Sequence, residues 1–249
     1  MGGSHTRQIR SGQVSIPEEK MDRFKIGFIE FMLSTGALRF GDFTTKSGRK
    51  TPYFINTGAY VKGAQIRKLG EFYARAIRGA FGAEVDNLFG PAYKGIPLAV
   101  SASMALQSHF DMEVTYTFNR KEAKDHGEGG SLVGYDYASH PASGEPYKVV
   151  IIEDVTTAGT SIRESLPLIS AKGVKPVGLV VSVDRMERGL GNLSALREIE
   201  TEHGLKTTAI VTLEDILGYL ESPSAERFRP QDSGLLSRMK AYREEYGAA

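Results

Sequence analysis

Val149-Val150-Ile151-Ile152-Glu153-Asp154-Val155-Thr156-Thr157-Ala158-Gly159-Thr160-Ser161 is the stretch whose reading decides the fold. Its first four residues are consecutive apolar β-formers, the pattern of a strand buried on both faces in a parallel sheet covered by helices. Two acids stand at the strand's carboxyl end. Small hydroxyl residues and a glycine follow, then Ile162, Leu166 and Ile169 at helical spacing. The order is strand, polar loop, helix. At a helix N-terminus backbone N–H groups and hydroxyls converge and the dipole favours an anion, which makes the loop of residues 156–161 a candidate phosphate cradle.

The acids narrow the choice of phosphate. A ribose phosphate needs acceptors for its ring hydroxyls beside donors for its phosphate, and Glu153 and Asp154 can be those acceptors. The competing reading is an ordinary strand-to-helix turn with N-capping hydroxyls.

Upstream, Val114, Tyr116 and Phe118 alternate with Thr115 and Thr117, a strand with two unlike faces. It runs into Asn119-Arg-Lys-Glu-Ala-Lys-Asp-His-Gly-Glu-Gly-Gly, where Arg120, Lys121, Lys124 and His126 precede Gly127, Gly129 and Gly130. A packed helix would not use that glycine density. A lid that opens for substrate and closes over it would, and a solvated charged loop is the alternative. Before this strand, Asp86-Asn-Leu-Phe-Gly-Pro-Ala-Tyr-Lys-Gly reads as a strand that breaks at Gly90-Pro91 and feeds a loop. Glycines on both sides of Tyr93-Lys94 would let the backbone approach an anion closely.

The remaining segments complete an alternation of strands and helices. A helix begins near Pro17 and ends at Gly36, with Phe24, Phe28, Phe31 and Met32 on one face. Gly41 to Asn56 reads as a turn-rich segment leading into a short strand at Tyr53–Ile55. Amphipathic helices are predicted over 65–80 and 97–108. Residues 136–147 form a surface connection. Pro167 falls inside the helix after the central motif and should weaken or kink it. An apolar strand over 174–183 ends at Asp184-Arg185, and 206–212 is a further strand, followed by helices near 213–220 and 233–246. Arg185 at a strand's carboxyl end can grip a carboxylate by two parallel hydrogen bonds, or form an ion pair with Asp184 or Glu187.

Composition narrows the function. The 249 residues suffice for one substantial core, and 31 basic against 30 acidic residues, a net charge of +1, give no global argument for nucleic acid or an anionic membrane. Cysteine is absent, so disulfides, thiolate zinc sites and a cysteine nucleophile are excluded, and a reducing, cytoplasmic compartment is permitted. No apolar run approaches the roughly 20 residues of a membrane span. Residues 1–15 are set aside as an arm or expression remnant, leaving 16–249 as one domain.

Together these motifs resemble type I phosphoribosyltransferases, over about residues 20–246, and within that family the branch that acts on orotate. The resemblance implies an α/β fold with a mostly parallel central sheet flanked by helices, the first part of the domain, 16–80, including a small N-terminal hood over the base. It implies that residues 153–161, namely Glu153, Asp154, Val155, Thr156, Thr157, Ala158, Gly159, Thr160 and Ser161, hold phosphoribosyl pyrophosphate. Lys46, Tyr93, Lys94, Arg120, Lys121, Lys124 and His126 would meet the pyrophosphate, with the last four as the catalytic lid. Phe54, Ile55, Thr157 and Arg185 would line the orotate pocket, Ile55 standing where family members often carry a second aromatic. The implied reaction is displacement at the ribose anomeric carbon, giving orotidine 5′-monophosphate and pyrophosphate in pyrimidine biosynthesis. Mg²⁺ would be held mainly by substrate oxygens and water, and a homodimer would share the lid between subunits. Purine phosphoribosyl transfer, or a regulator that binds without turnover, are the rival readings. The first fits Arg185 and the hood poorly; the second fits the cationic lid poorly.

Overall fold

The computed structural model describes residues 22–45, 48–124, 130–139, 146–156, 159–189 and 191–248, with backbone alone at 122–124 and 130. Its main sheet has six strands in the order β5-β4-β3-β6-β7-β8. These are β3 (Asn87–Phe89), β4 (Thr115–Lys124), β5 (Gly130–Gly134), β6 (Lys148–Val155), β7 (Lys175–Asp184) and β8 (Lys206–Thr212). All neighbouring pairs are parallel except β4–β5, which form an antiparallel hairpin. A separate antiparallel pair, β1 (Leu38–Thr44) and β2 (Lys50–Ile55), makes the hood.

The four consecutive apolar residues of β6, Val149 to Ile152, are fully buried and alternate between two cores. Val150 and Ile152 belong to the core beneath α1 (Arg23–Thr35), α2 (Gly63–Phe81) and α3 (Gly95–Phe110), which also takes in α6 (Leu213–Glu221) and α7 (Leu235–Tyr246). Val149 and Ile151 belong to the opposite core, under α4 (Thr160–Ser170) and α5 (Ala195–His203). Each such burial is worth about 1.5–3 kcal/mol, which is why a continuous apolar run is required here.

Chain order then fixes where a ligand can sit. From β3 the chain crosses to β4 on one side, and β6 returns to the other side of β3. Between β3 and β6 the order reverses, so the loops leaving their carboxyl ends splay apart and open a crevice. Those loops carry Tyr93-Lys94 and Glu153-Asp154.

Several sequence expectations change here. The segment from Gly41 is a β-hairpin rather than turns leading into a strand, with an irregular register between Phe40 and Phe43. Strand β4 does not stop at Phe118 but continues through Lys124, so the cationic segment rises from the sheet as a β-strand. Helix α4 runs through Pro167 to Ser170; the proline lies near its end, where only one backbone bond is forfeited. Helix α5 was not anticipated. The start expected at Pro17 lies outside the described residues; from Asp22, whose carboxylate accepts from the Phe24 N–H at 2.9 Å, α1 is capped and regular.

Candidate active site

Buried strand β6 delivers both acids to the crevice, where each is only 7% exposed. Buried carboxylates need partners, and the two find different ones. Glu153 Oε2 accepts from the Ser161 hydroxyl at 2.8 Å and Oε1 from the Asp154 N–H at 3.2 Å. Burial, reinforced by the Asp154 charge, pushes its carboxyl up to about 7. Burial would raise Asp154 too, but Lys94 Nζ at 2.8 Å and a short hydrogen bond from the Thr57 hydroxyl outweigh it and hold that carboxyl below its ordinary value. The pair therefore separates at neutral pH into one firm anion and one carboxyl near its midpoint.

The backbone beneath them is pinned as well. Tyr73 donates to the Glu153 carbonyl at 2.8 Å and Ser182 to the Asp154 carbonyl at 2.6 Å. These two, with Thr57, are site residues that sequence reasoning missed. Their partners lie far away in the chain, and a lone tyrosine or serine carries no motif.

The loop after β6 reaches α4 at Gly159, the helix N-cap, at φ +67°. Its N–H donates to the Thr156 hydroxyl at 3.0 Å. A Cβ there would lie 2.8 Å from Ile199 Cδ1 and 2.9 Å from Arg163 Nη1, so α5 closes the loop from behind. Thr160, exposed, and Ser161, half-buried, open the helix, and half-buried Val155 ends the strand; Thr157 and Ala158 lie outside the described residues.

Across the crevice, the loop after β3 brings Tyr93 out to 69% exposure beside Lys94. Gly90 and Gly95 meet each other: a Cβ on Gly90 would lie 2.2 Å from the Gly95 carbonyl oxygen. The two glycines therefore let the loop close tightly on itself. Asn119, on β4, accepts from the Ala92 N–H at 2.8 Å, and Lys121 Nζ lies 5.6 Å from the Tyr93 ring centroid. The loop after β3 and strand β4 are joined there, with Arg120 between these two contacts in sequence. A cleft of about 250 Å³ lined by Thr57, Tyr60, Tyr93, Lys94, Pro97 and Asp154 adjoins them. Lys46, His126 and the side chain of Lys124 lie outside the described residues.

In the β1–β2 hairpin the residue that faces Arg185 is Tyr53. Strand alternation sends Tyr53 inward, fully buried, and Phe54 to the other face. Phe54 stacks on Phe43 at 5.4 Å with Arg39 over both rings. Ile55 packs against the main core on Tyr53's side. Arg185 lies over the Tyr53 ring at 4.8 Å and pairs with Glu187 at 2.6 Å, one of the two ion pairs weighed from the sequence.

Among the described residues no three His, Cys, Asp or Glu side chains group as metal ligands, and no helix is long and apolar enough to cross a membrane. Comparison with known proteins agrees with the geometry. The Phosphoribosyl transferase domain family model matches residues 56–202. The orotate phosphoribosyltransferase of Lachnoclostridium phytofermentans is 56% identical over 228 residues, 91% of this chain and 99% of the relative. That of Shigella flexneri is 48% identical over 227 residues, covering 91% and 100%. A crystal structure of orotate phosphoribosyltransferase from Francisella tularensis superposes with a TM-score of 0.75 at 36% identity, covering 89% of this chain and all of that one. On the family match, these relatives and the shared fold, the chain belongs to the phosphoribosyl transferase family, in its orotate phosphoribosyltransferase branch.

Proposed function

We propose that the chain transfers the 5-phosphoribosyl group of phosphoribosyl pyrophosphate to N1 of orotate, with inversion at the anomeric carbon. The observation that carries this reading is the Glu153–Asp154 pair at the end of β6, facing Lys94 across the crevice at 2.8 Å with the α4 N-terminus directly behind. Breaking the ribose–pyrophosphate bond builds positive charge on the sugar ring and negative charge on the leaving group. The site therefore requires cations and N–H dipoles at the pyrophosphate and no strong base at the sugar carbon.

In this reading the loop of residues 156–161 binds the 5′-phosphate through backbone N–H groups and hydroxyls. Asp154, held ionised, and Glu153 accept from the ribose hydroxyls; the ribose replaces part of what Thr57, Lys94 and Ser161 supply in the free site. Lys94, released from Asp154, turns to the pyrophosphate beside Tyr93. Lys46, Arg120, Lys121, Lys124 and His126 complete the cationic lining as the β4–β5 hairpin closes, and a lid lysine or His126 protonates or neutralises the departing pyrophosphate. Arg185, Thr157 and the hood strand with Phe54 and Ile55 hold orotate.

Both crevice acids are engaged by protein donors, which fits Mg²⁺ that would be held chiefly by pyrophosphate oxygens and water. When bound, the ion shares the leaving group's charge. A homodimer whose lid reaches the neighbouring site, and a cytoplasmic location, complete the proposal.

The Lys121→Ala, His126→Ala double variant tests the assignment of roles. Loss of two leaving-group cations should lower kcat by about 10²-fold or more while phosphoribosyl pyrophosphate still binds. Retained kcat would remove the lid from the chemistry.

A further inference from the structure

The Glu187 carboxylate gathers more donors than any role proposed so far requires. Its Oε1 accepts from Arg185 Nε at 2.8 Å, from the Tyr53 hydroxyl at 3.1 Å and from the Tyr242 hydroxyl at 2.9 Å, and forms an ion pair with Arg185 Nη2 at 2.6 Å. Its Oε2 accepts from Arg49 Nη1 at 3.1 Å. These donors come from three stretches far apart in the chain: the β1–β2 hairpin, the turn after β7, and α7. The chain end is fastened to the same turn, since the Arg188 N–H donates to the Tyr246 carbonyl at 3.0 Å and the Ala248 N–H to the Met186 carbonyl at 2.8 Å. Arg49 completes the cluster with its guanidinium 4.2 Å over the Tyr246 ring.

Charge and geometry together give the cluster a purpose. Two guanidiniums share one carboxylate, so the cluster carries an excess positive charge although Arg185 is only 9% exposed. Burial pushes the Tyr53 phenol well up, so it remains a neutral donor and does not cancel that charge. Arg185 Nε donates to Glu187, and Nη2 pairs with the same carboxylate and donates to the Tyr242 hydroxyl at 3.5 Å. Among the described residues the Nη1 hydrogens have no acceptor, which leaves one edge of a fixed planar fork for a further anion. A flexible arginine would lose rotamer freedom each time it met a carboxylate; this one is ordered before the ligand arrives.

We propose that Glu187 is a positioning residue for the base: it orients Arg185 toward the orotate carboxylate and, through Tyr53, Arg49 and Tyr242, ties that orientation to the hood and to α7. The C-terminal helix thereby contributes to base affinity without touching the base. The inference rests on the reading of Arg185 as the carboxylate contact.

The test uses the full-length protein with Glu187→Gln, Tyr242→Phe, Arg185→Lys and the Arg185→Lys, Glu187→Gln double variant. Glutamine keeps the shape but removes the charge and presents donors to donors, so the KM for orotate should rise about tenfold while the KM for phosphoribosyl pyrophosphate stays within twofold. Tyr242→Phe, which removes one donor on the α7 side, should raise the orotate KM by about threefold with the same selectivity, and it carries the test if Glu187→Gln does not fold. The double variant should raise it by much less than the product of the single effects, because Glu187 acts through Arg185. If Arg185→Lys leaves the orotate KM unchanged, the reading of the base pocket fails. If Arg185→Lys raises it but Glu187→Gln and Tyr242→Phe leave it alone, or raise both KM values equally, the pocket reading stands and the positioning role of Glu187 is overturned.

Discussion

Gly159→Ala isolates the phosphate loop. At φ +67° an alanine suffers the left-handed penalty of about 1–2 kcal/mol. Its Cβ would also sit 2.8 Å from Ile199 Cδ1 and 2.9 Å from Arg163 Nη1, closer than real Cβ contacts. Both are ends of side chains, and Arg163 is held by Glu202 through two hydrogen bonds of 3.0 Å, so shifting them adds about 1 kcal/mol. The sum is about 2–3 kcal/mol. If the loop yields by leaving its binding conformation, affinity for phosphoribosyl pyrophosphate falls by about 30- to 150-fold. Gly173→Ala is the control: its φ is +74°, nothing lies within 4 Å of the added Cβ, and it stands at the far end of α4. Titration calorimetry with phosphoribosyl pyrophosphate and Mg²⁺, alongside thermal melts, separates the two. Both variants should melt lower, and only Gly159→Ala should lose affinity. A Gly159→Ala protein that binds within twofold of the parent, or a Gly173→Ala protein that loses as much, would refute the claim that this loop conformation holds the phosphate.

Glu153 predicts a pH dependence of stability. Its folded value, about 7, lies above the ordinary 4.5, so the folded state holds the proton more tightly and stability falls as pH rises through that window. The loss is about 3 kcal/mol, complete above pH about 7; the depressed Asp154 acts on the other side, losing its contribution only as pH falls below its ordinary range. Glu153→Gln cannot ionise, so melts at pH 5 and pH 8 should show it gaining on the parent at the higher pH, and an equal difference at both would contradict the assigned burial. Ile151→Ala, in the core between β6 and α4, should cost about 2–5 kcal/mol in urea unfolding; a cost under 1 kcal/mol would mean that face of β6 is not packed as described.

What the sequence disclosed follows the strength of local signals. Strand β6 was legible because four apolar residues in a row have no other economical place in a soluble fold, and β8 because its β-formers are contiguous. The loop with Glu153, Asp154 and Gly159 was legible because its chemistry and its position after a strand coincide. The hood strand β1 was not, since Gly41 and Asp42 disfavour a strand and tertiary pairing with β2 overrides them. The end of β4 is charged and half-exposed, so its pairing with β5 outweighs a composition that reads as loop. Neither Tyr53 facing Arg185 nor the convergence on Glu187 has any local signature, because partners up to 138 positions apart meet only once the sheet is built.

The most direct test of the central claim is turnover. Purified protein with orotate, phosphoribosyl pyrophosphate and Mg²⁺ should show loss of orotate absorbance matched one for one by pyrophosphate release, with neither signal when any one component is omitted. Bound phosphoribosyl pyrophosphate with orotate left unconsumed would contradict the account and turn attention to other bases or to a binding role.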